Sequence, residues 1–168
     1  MNTRWMRSLG IAAVAVQVLW GLAGCAAQQE EARKEPVQAA RLRPDQLYIY
    51  RGVDQSNPGT GRASLAPSQF NFNPELSTFD NPGMAPVLKP CNYRFTVSNV
   101  AHQPPQPGDT GAVDGLPGYT ATFDNNPPGH WGIQHPAGVT PAQAKTAVSQ
   151  YAQDNRDNVI NGTAVNCN

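Results

Sequence analysis

Residues 46–53 read QLYIYRGV, and this stretch carries the clearest strand signal in the chain. Aromatic and β-branched residues dominate it, and they alternate with the two-residue period of a strand. That period places four side chains on one face: Leu47, Ile49, Arg51 and Val53. An arginine on an aliphatic face either extends its charged end to solvent or points into a site and binds an anion. Arg51 is therefore a candidate site residue.

Five other segments favour short strands, because β-formers alternate there between turn residues. These segments are residues 76–79, 92–100, 119–123, 130–134 and 159–160. Residues 102–115 are instead predicted to form a Pro/Gly loop, with polyproline character at residues 104–107.

One helix is predicted near the C-terminus. Residues 140–143 (TPAQ) combine an N-cap Thr, a Pro at the first helical position and a Gln at the third, which is a capping box. An apolar stripe follows at helical spacing: Ala144, Ala147, Val148, Tyr151 and Ala152. We therefore expect an α+β fold, with a small, mainly antiparallel sheet of short strands, one C-terminal amphipathic helix and long Pro/Gly loops.

The composition excludes several classes of protein. The chain has 168 residues, of which 15 are Gly and 16 are Pro, and this disfavours helix bundles and coiled coils. Only 14% of the residues are charged and the formal net charge is zero. Both values disfavour a charged disordered chain and a nucleic-acid binder that relies on phosphate contacts.

The N-terminal residues are typical of an exported protein. A short positive region with Arg4 and Arg7 precedes the uncharged residues 8–24, a run slightly shorter than the roughly 20 residues that a spanning helix needs. We expect residues 1–24 to be a signal peptide.

The residues at the end of this signal are more specific. Leu22-Ala23-Gly24-Cys25 resembles the lipobox of bacterial lipoproteins. The resemblance implies that the chain is cut before Cys25 and that Cys25 carries the acyl chains, a membrane anchor of several buried hydrocarbon tails. The alternatives are an ordinary signal peptide with a chance cysteine, or an unprocessed helix.

The residues after Cys25 suggest where the protein resides. Ala26 follows the cysteine, whereas Asp at that position tends to retain enterobacterial lipoproteins in the inner membrane, so the resemblance implies the outer membrane. Residues 25–44 are polar and form a predicted flexible tether. Residues 45–168 form a predicted single globular head, which faces the periplasm or the cell surface.

Two cysteines remain for the head. Cys91 and Cys167 are predicted to form a disulfide, because an exported chain meets oxidising conditions and the count is even. The alternative is two free buried thiols. Metal binding by this pair is disfavoured, since neither has a His or Cys at ligand spacing.

Two similar segments follow predicted strands. Residues 78–83 (TFDNPG) and 122–129 (TFDNNPPG) each place carboxylates and amides before Pro and Gly. Such residues are typical of turns, and a calcium site is the alternative. A zinc site would need His130, His135 and a further ligand such as Asp124. We predict turns, with no metal and no cofactor.

Three short segments resemble ADP-ribosyltransferase-type bacterial toxin domains. They are residues 50–53 (YRGV), 76–79 (LSTF) and 129–133 (GHWGI). The resemblance implies an NAD-dependent enzyme with Arg51, Ser77 and His130 as catalytic residues. Many such enzymes need a late glutamate, whereas this chain has none after Glu75, so Asp154 or Asp157 would have to replace it.

A non-enzymatic binding role requires fewer assumptions and is our favoured hypothesis. Several aromatic residues in a head of low charge suit contact with an envelope protein or a glycan: Tyr48, Tyr50, Tyr93, Tyr119 and Trp131. The alternative is that these rings belong to the core. We therefore expect an accessory lipoprotein of the envelope, held at the membrane by lipid on Cys25.

Overall fold

The computed structural model describes residues 42–57, 61–164 and 166–168. The predicted signal peptide, Cys25 and the tether up to residue 41 lie outside this part of the chain. Within the described residues, no helix has the length and apolar character needed to cross a membrane.

The described residues form seven strands and one α-helix. The strands are β1 (Leu47–Val53), β2 (Leu76–Phe79), β3 (Cys91–Ser98), β4 (Thr110–Val113), β5 (Thr120–Phe123), β6 (His130–Gln134) and β7 (Val159–Asn161). The helix is α1 (Pro141–Asp154), and short 3₁₀ turns occupy Pro67–Gln69, Pro82–Met84 and Arg156–Asn158.

Six of the strands close into an antiparallel barrel. Their order is β1-β2-β6-β5-β4-β3, and β3 pairs back to β1, while β7 adds to the free part of β3. The β1–β3 ladder is continuous from Leu47 opposite Val97 to Val53 opposite Cys91. By contrast, β1 and β2 share a single register pair, Tyr50 opposite Phe79. The barrel therefore has a thin seam between β1 and β2.

The predicted α+β class is wrong, because the protein is mostly β and its sheet is a closed barrel. The individual strands follow local patterns, but closure depends on pairing between β1 and β3, which are far apart in sequence. No local pattern encodes such a pairing.

β4 lies inside residues 102–115, which the sequence predicts as a loop. Gly111 and Val113 face inward and are buried, whereas Thr110 and Ala112 are exposed. Gly is a poor strand former, so the strand depends on its neighbours β3 and β5. Tertiary pairing overrides local propensity at this position.

Large side chains fill the barrel interior, including Ile49, Tyr93, Phe95, Trp131 and Ile133, each at most 1% exposed. Phe70 is also fully buried in this core, and its ring centroid lies 6.2 Å from that of Tyr93 in an edge-to-face contact. Small barrels are filled by side chains in this way.

The predicted capping box of α1 is present. Thr140 Oγ1 accepts from the Gln143 main-chain N–H, and the Gln143 side chain accepts from the Thr140 N–H at 2.9 Å. The buried face differs from the predicted stripe, since Ala147 is exposed and Ser149 is buried. Ser149 Oγ donates to the Leu65 carbonyl at 2.6 Å, and this bond holds the helix against the chain that leads to the Pro67–Gln69 turn.

The predicted disulfide between Cys91 and Cys167 is confirmed. The two Cα atoms lie 5.7 Å apart, and both residues are fully buried. The Ala63 N–H also donates to the Cys167 carbonyl at 2.8 Å. The bridge thus joins the C-terminus to the start of β3.

Candidate functional site

Ser77 and His130 lie together on the outer face of the barrel. Leu76 and Thr78 are fully buried, so strand alternation turns Ser77 outward. Trp131 is likewise buried, and His130 before it faces outward. The β2–β6 register places Ser77 opposite Gly132 and Phe79 opposite His130, which makes Ser77 and His130 diagonal neighbours.

A hydrogen-bonded chain joins Ser77, His130 and Asp124. The Ser77 Oγ atom lies 2.8 Å from His130 Nε2, and His130 Nδ1 lies 2.7 Å from Asp124 Oδ1. Burial by itself raises the pKa of Asp124, but hydrogen bonds from the Asn126 N–H and from His130 outweigh it and hold the pKa below its usual value. Asp124 is therefore ionised at neutral pH.

Glu75 adds a second carboxylate to this face. Its carboxyl group lies over the Cα of Gly132, in space that any larger side chain would fill. Polar atoms of Glu75, Asp124 and His130 all lie within 4.8 Å of one another, close enough to be considered as a cation site. However, both ring nitrogens of His130 already face hydrogen-bond partners. The arrangement thus favours a proton relay over metal binding.

Arg51 lies at the thin seam of the barrel. Its Nε donates to the Gln69 carbonyl at 3.0 Å, and its Nη1 donates to the Ser77 carbonyl at 2.9 Å. Burial lowers the pKa of the guanidinium, while nearby Asp54 acts in the opposite direction. Arg51 thus satisfies two carbonyls where the β1–β2 ladder stops.

A cleft of about 230 Å³ opens beside Arg51 and Ser77. Phe79, Pro86 and Val87 supply apolar wall. Lys89 also lines it, with its Nζ 2.9 Å from Asp54 Oδ1. The structure therefore brings Arg51, Ser77 and His130 together: Arg51 and Ser77 share the cleft, and His130 binds the Ser77 hydroxyl.

Other candidate residues are engaged elsewhere. Asp154 accepts from Gln150 Nε2 at the end of α1, and Asp157 belongs to the Arg156–Asn158 turn. His135 packs against the Phe72 ring at 5.6 Å. The carboxylates beside Ser77 and His130 are Glu75 and Asp124, not the two late aspartates.

The two similar turn segments lie side by side, and they use their polar residues as turn residues. The Asp80 N–H donates to the Gly129 carbonyl at 2.9 Å. Asn81 Oδ1 accepts from the Gly83 N–H and Asn125 Oδ1 accepts from the Gly129 N–H, both at 2.8 Å.

Asp124 has an additional role that sequence reasoning missed, since its carboxylate is hydrogen-bonded to His130. That role follows from the β5–β6 register, in which Phe123 lies opposite Trp131 and Asp124 comes beside His130, and the sequence pattern alone does not determine this register.

An exposed apolar segment borders the cleft. Among the described residues, the exposed large hydrophobic side chains are Leu42 and three from residues 84–88: Met84 (47% exposed), Val87 (67%) and Leu88 (56%). We call residues 84–88 the apolar strip. It also borders a second cleft of about 200 Å³, lined by Leu88, Asn92 and Thr163 among others.

Comparison of the chain with family models, curated proteins and solved structures finds no match. Any functional assignment must therefore be argued from the residues themselves.

Proposed function

We propose that the chain is a bacterial envelope lipoprotein whose barrel head binds another envelope protein. Lipid on Cys25 would hold it at the outer membrane, with residues 26–44 as the tether. The resemblance of residues 22–25 to a lipobox supports the anchoring part of this proposal. The binding part is supported by the apolar strip.

The single observation that supports binding is the concentration of exposed apolar side chains in the strip. Isolated exposed hydrophobic residues are ordinary, whereas a contiguous group commonly marks an interaction surface. Three large exposed side chains within five residues, in a segment that also contributes to two clefts, form such a group. Burying them against a partner would release water from all three.

The chemistry of the strip favours a protein partner over a glycan. Its residues are Met, Ala, Pro, Val and Leu, and none of their side chains donates a hydrogen bond. Sugar hydroxyls buried there would lose water without a replacement partner, at a cost in free energy. Tyr93, Tyr119 and Trp131, at most 6% exposed, belong to the core. The partner we propose is thus an apolar segment of an envelope protein.

Site-specific photo-crosslinking in living cells tests this binding role. A crosslinking amino acid at Val87 should yield one discrete adduct with an envelope protein, and the same residue at exposed Thr146 should not. The triple variant M84S/V87S/L88S should weaken binding to that purified partner at least tenfold, whereas L42S, at another exposed hydrophobic residue, should not. Identical adducts from both positions, or unchanged affinity of the triple variant, would count against the proposal.

A second candidate function is an ADP-ribosyltransferase-like activity on NAD. The observation that favours it is the 2.9 Å bond from Arg51 to Ser77 beside a shared cleft. The cleft is smaller than the roughly 300–1,000 Å³ of pockets that bury a drug-sized ligand, so it would take one end of the dinucleotide. Incubating the full chain with NAD should release nicotinamide, and S77A should abolish the release. No release from the wild type would refute this candidate.

A further inference from the structure

We propose that Ser77 is the nucleophile of an ester-hydrolysing site, with His130 as its general base and Asp124 as the positioning residue. The proposal stands on the 2.8 Å and 2.7 Å contacts that join the three side chains. A nucleophile within hydrogen-bond reach of a base, which a third group orients, is the arrangement that activates serine. It does not depend on the partner proposed for the apolar strip.

The chemistry of the three groups determines which atom donates each hydrogen bond between Ser77, His130 and Asp124. An ionised carboxylate only accepts hydrogen bonds, so His130 Nδ1 must carry the proton that faces Asp124. When the ring is neutral, Nε2 is then the unprotonated nitrogen, and the Ser77 hydroxyl donates to it. This is the tautomer that a base needs to remove the serine proton.

The surroundings of Ser77 suit a small acyl ester. The 230 Å³ cleft has room for a short acyl group against Phe79, Pro86 and Val87. Two of the three Arg51 nitrogens bind carbonyls, and Nη2 has no hydrogen-bond partner among the described residues. Nη2 is the group that we expect to face the negative oxygen that develops during attack.

The reaction balances with water as the only co-reactant. Ser77 Oγ bonds to the ester carbonyl carbon while its proton passes to His130 Nε2. The carbon–oxygen bond to the alcohol then breaks, and the alcohol leaves with that proton. Water, deprotonated by His130, attacks the acyl-serine, and the acid departs as the Ser77 hydroxyl is restored.

Labelling with a fluorophosphonate probe tests the nucleophile directly. The full chain in detergent should be labelled at Ser77, as mapped by mass spectrometry, and should hydrolyse p-nitrophenyl acetate. S77A should lose both properties. S98A removes a serine that bonds to Asp114 instead of a histidine, at 2.6 Å, and should retain both. Mapping the wild-type adduct requires no variant to fold.

The base has a matched control within the same head. His102 Nδ1 lies 2.8 Å from Asp109 Oδ1, a second histidine–carboxylate pair, and it has no serine contact among the described residues. H130A should slow hydrolysis by about 100-fold or more, and added imidazole should partly restore it, while H102A should be unaffected. D124N should lower kcat without raising KM, because Asp124 orients the base and does not touch the substrate.

Several results would overturn the proposal. Absence of label on Ser77, under conditions that label a known serine hydrolase, would exclude the nucleophile. Equal hydrolysis by wild type and S77A would exclude it as well. Hydrolysis by a folded H130A protein at the wild-type rate would exclude His130 as the base.

Discussion

Arg51 Nη1 in β1 donates to the main-chain oxygen of Ser77 in β2 at 2.9 Å, across the seam where the two strands share one register pair. Its Nε donates to the Gln69 carbonyl, so one side chain joins β1, β2 and the Pro67–Gln69 turn. A strand N–H would normally supply such a bond. The guanidinium therefore completes the barrel at its thinnest point and also fixes the strand that carries Ser77.

Replacing Arg51 should destabilise the head. R51M keeps an unbranched apolar stem but removes the guanidinium, which leaves two half-buried carbonyls without donors, and we expect the free energy of unfolding to fall by about 2–3 kcal/mol. R51K, which keeps one charged donor, should lose about half as much. Urea unfolding of both variants measures this, with R62A at an exposed arginine as the control. Equal stability of R51M and R62A would contradict the role given to Arg51.

The disulfide should contribute substantially to stability. Cys91 and Cys167 are 76 residues apart, and closing a loop of that length stabilises by about 4 kcal/mol in the chain-entropy model. The double variant C91A/C167A should lose about that amount relative to the oxidised wild type. Urea unfolding with and without reductant tests this, since reductant should affect the wild type and leave the double variant unchanged.

The sequence predicts the parts of this molecule that depend on local patterns. Alternation in residues 46–53 identifies β1, and the TPAQ motif identifies the start of α1. The even number of cysteines in the head, together with the export that we expect, predicts the disulfide. The closed barrel was not predictable in this way, because the β1–β3 ladder joins distant residues.

The candidate site, like the barrel, depends on strand pairings that local sequence patterns do not predict. The resemblance to ADP-ribosyltransferase-type domains points to Ser77 and His130, whereas the sequence pattern gives Asp124 only the role of a turn residue or a metal ligand. Its position beside His130 follows from the β5–β6 register, and Ser77 reaches the same ring through the β2–β6 register. The hydrogen-bonded chain of Ser77, His130 and Asp124 therefore depends on two strand pairings, which composition and spacing do not determine.

Gly111 should tolerate no side chain. A Cβ at this position would collide with Val97 Cγ1 and would lie 2.7 Å from the Ser98 carbonyl oxygen, which cannot move without disturbing β3. We expect G111A to lower the free energy of unfolding by about 1–3 kcal/mol, the usual cost of overpacking. G83A is a suitable control, since its nearest new contact would be the Asn81 side chain at 3.3 Å. Thermal unfolding should give a lower Tm for G111A than for G83A.

Asp109 should make the head less stable in acid. Hydrogen bonds from the Gln106 N–H and then from His102, both at 2.8 Å, hold the pKa of Asp109 below its usual value. A carboxyl whose pKa is lower in the folded than in the unfolded state contributes stability that is complete above the unfolded pKa of about 3.9. That contribution is lost as the pH falls through the folded pKa.

The free energy of unfolding should thus decline below about pH 4, and D109N should decline less steeply because it has no charge to lose. Asp124, whose pKa is also lowered, acts in the same range, so D109N should reduce the decline without abolishing it. H102A, which removes the second of the two donors, should fall between the wild type and D109N. Urea unfolding at pH 2.5, 4 and 6 measures these slopes. Parallel curves for the wild type and D109N would show that Asp109 does not carry the effect.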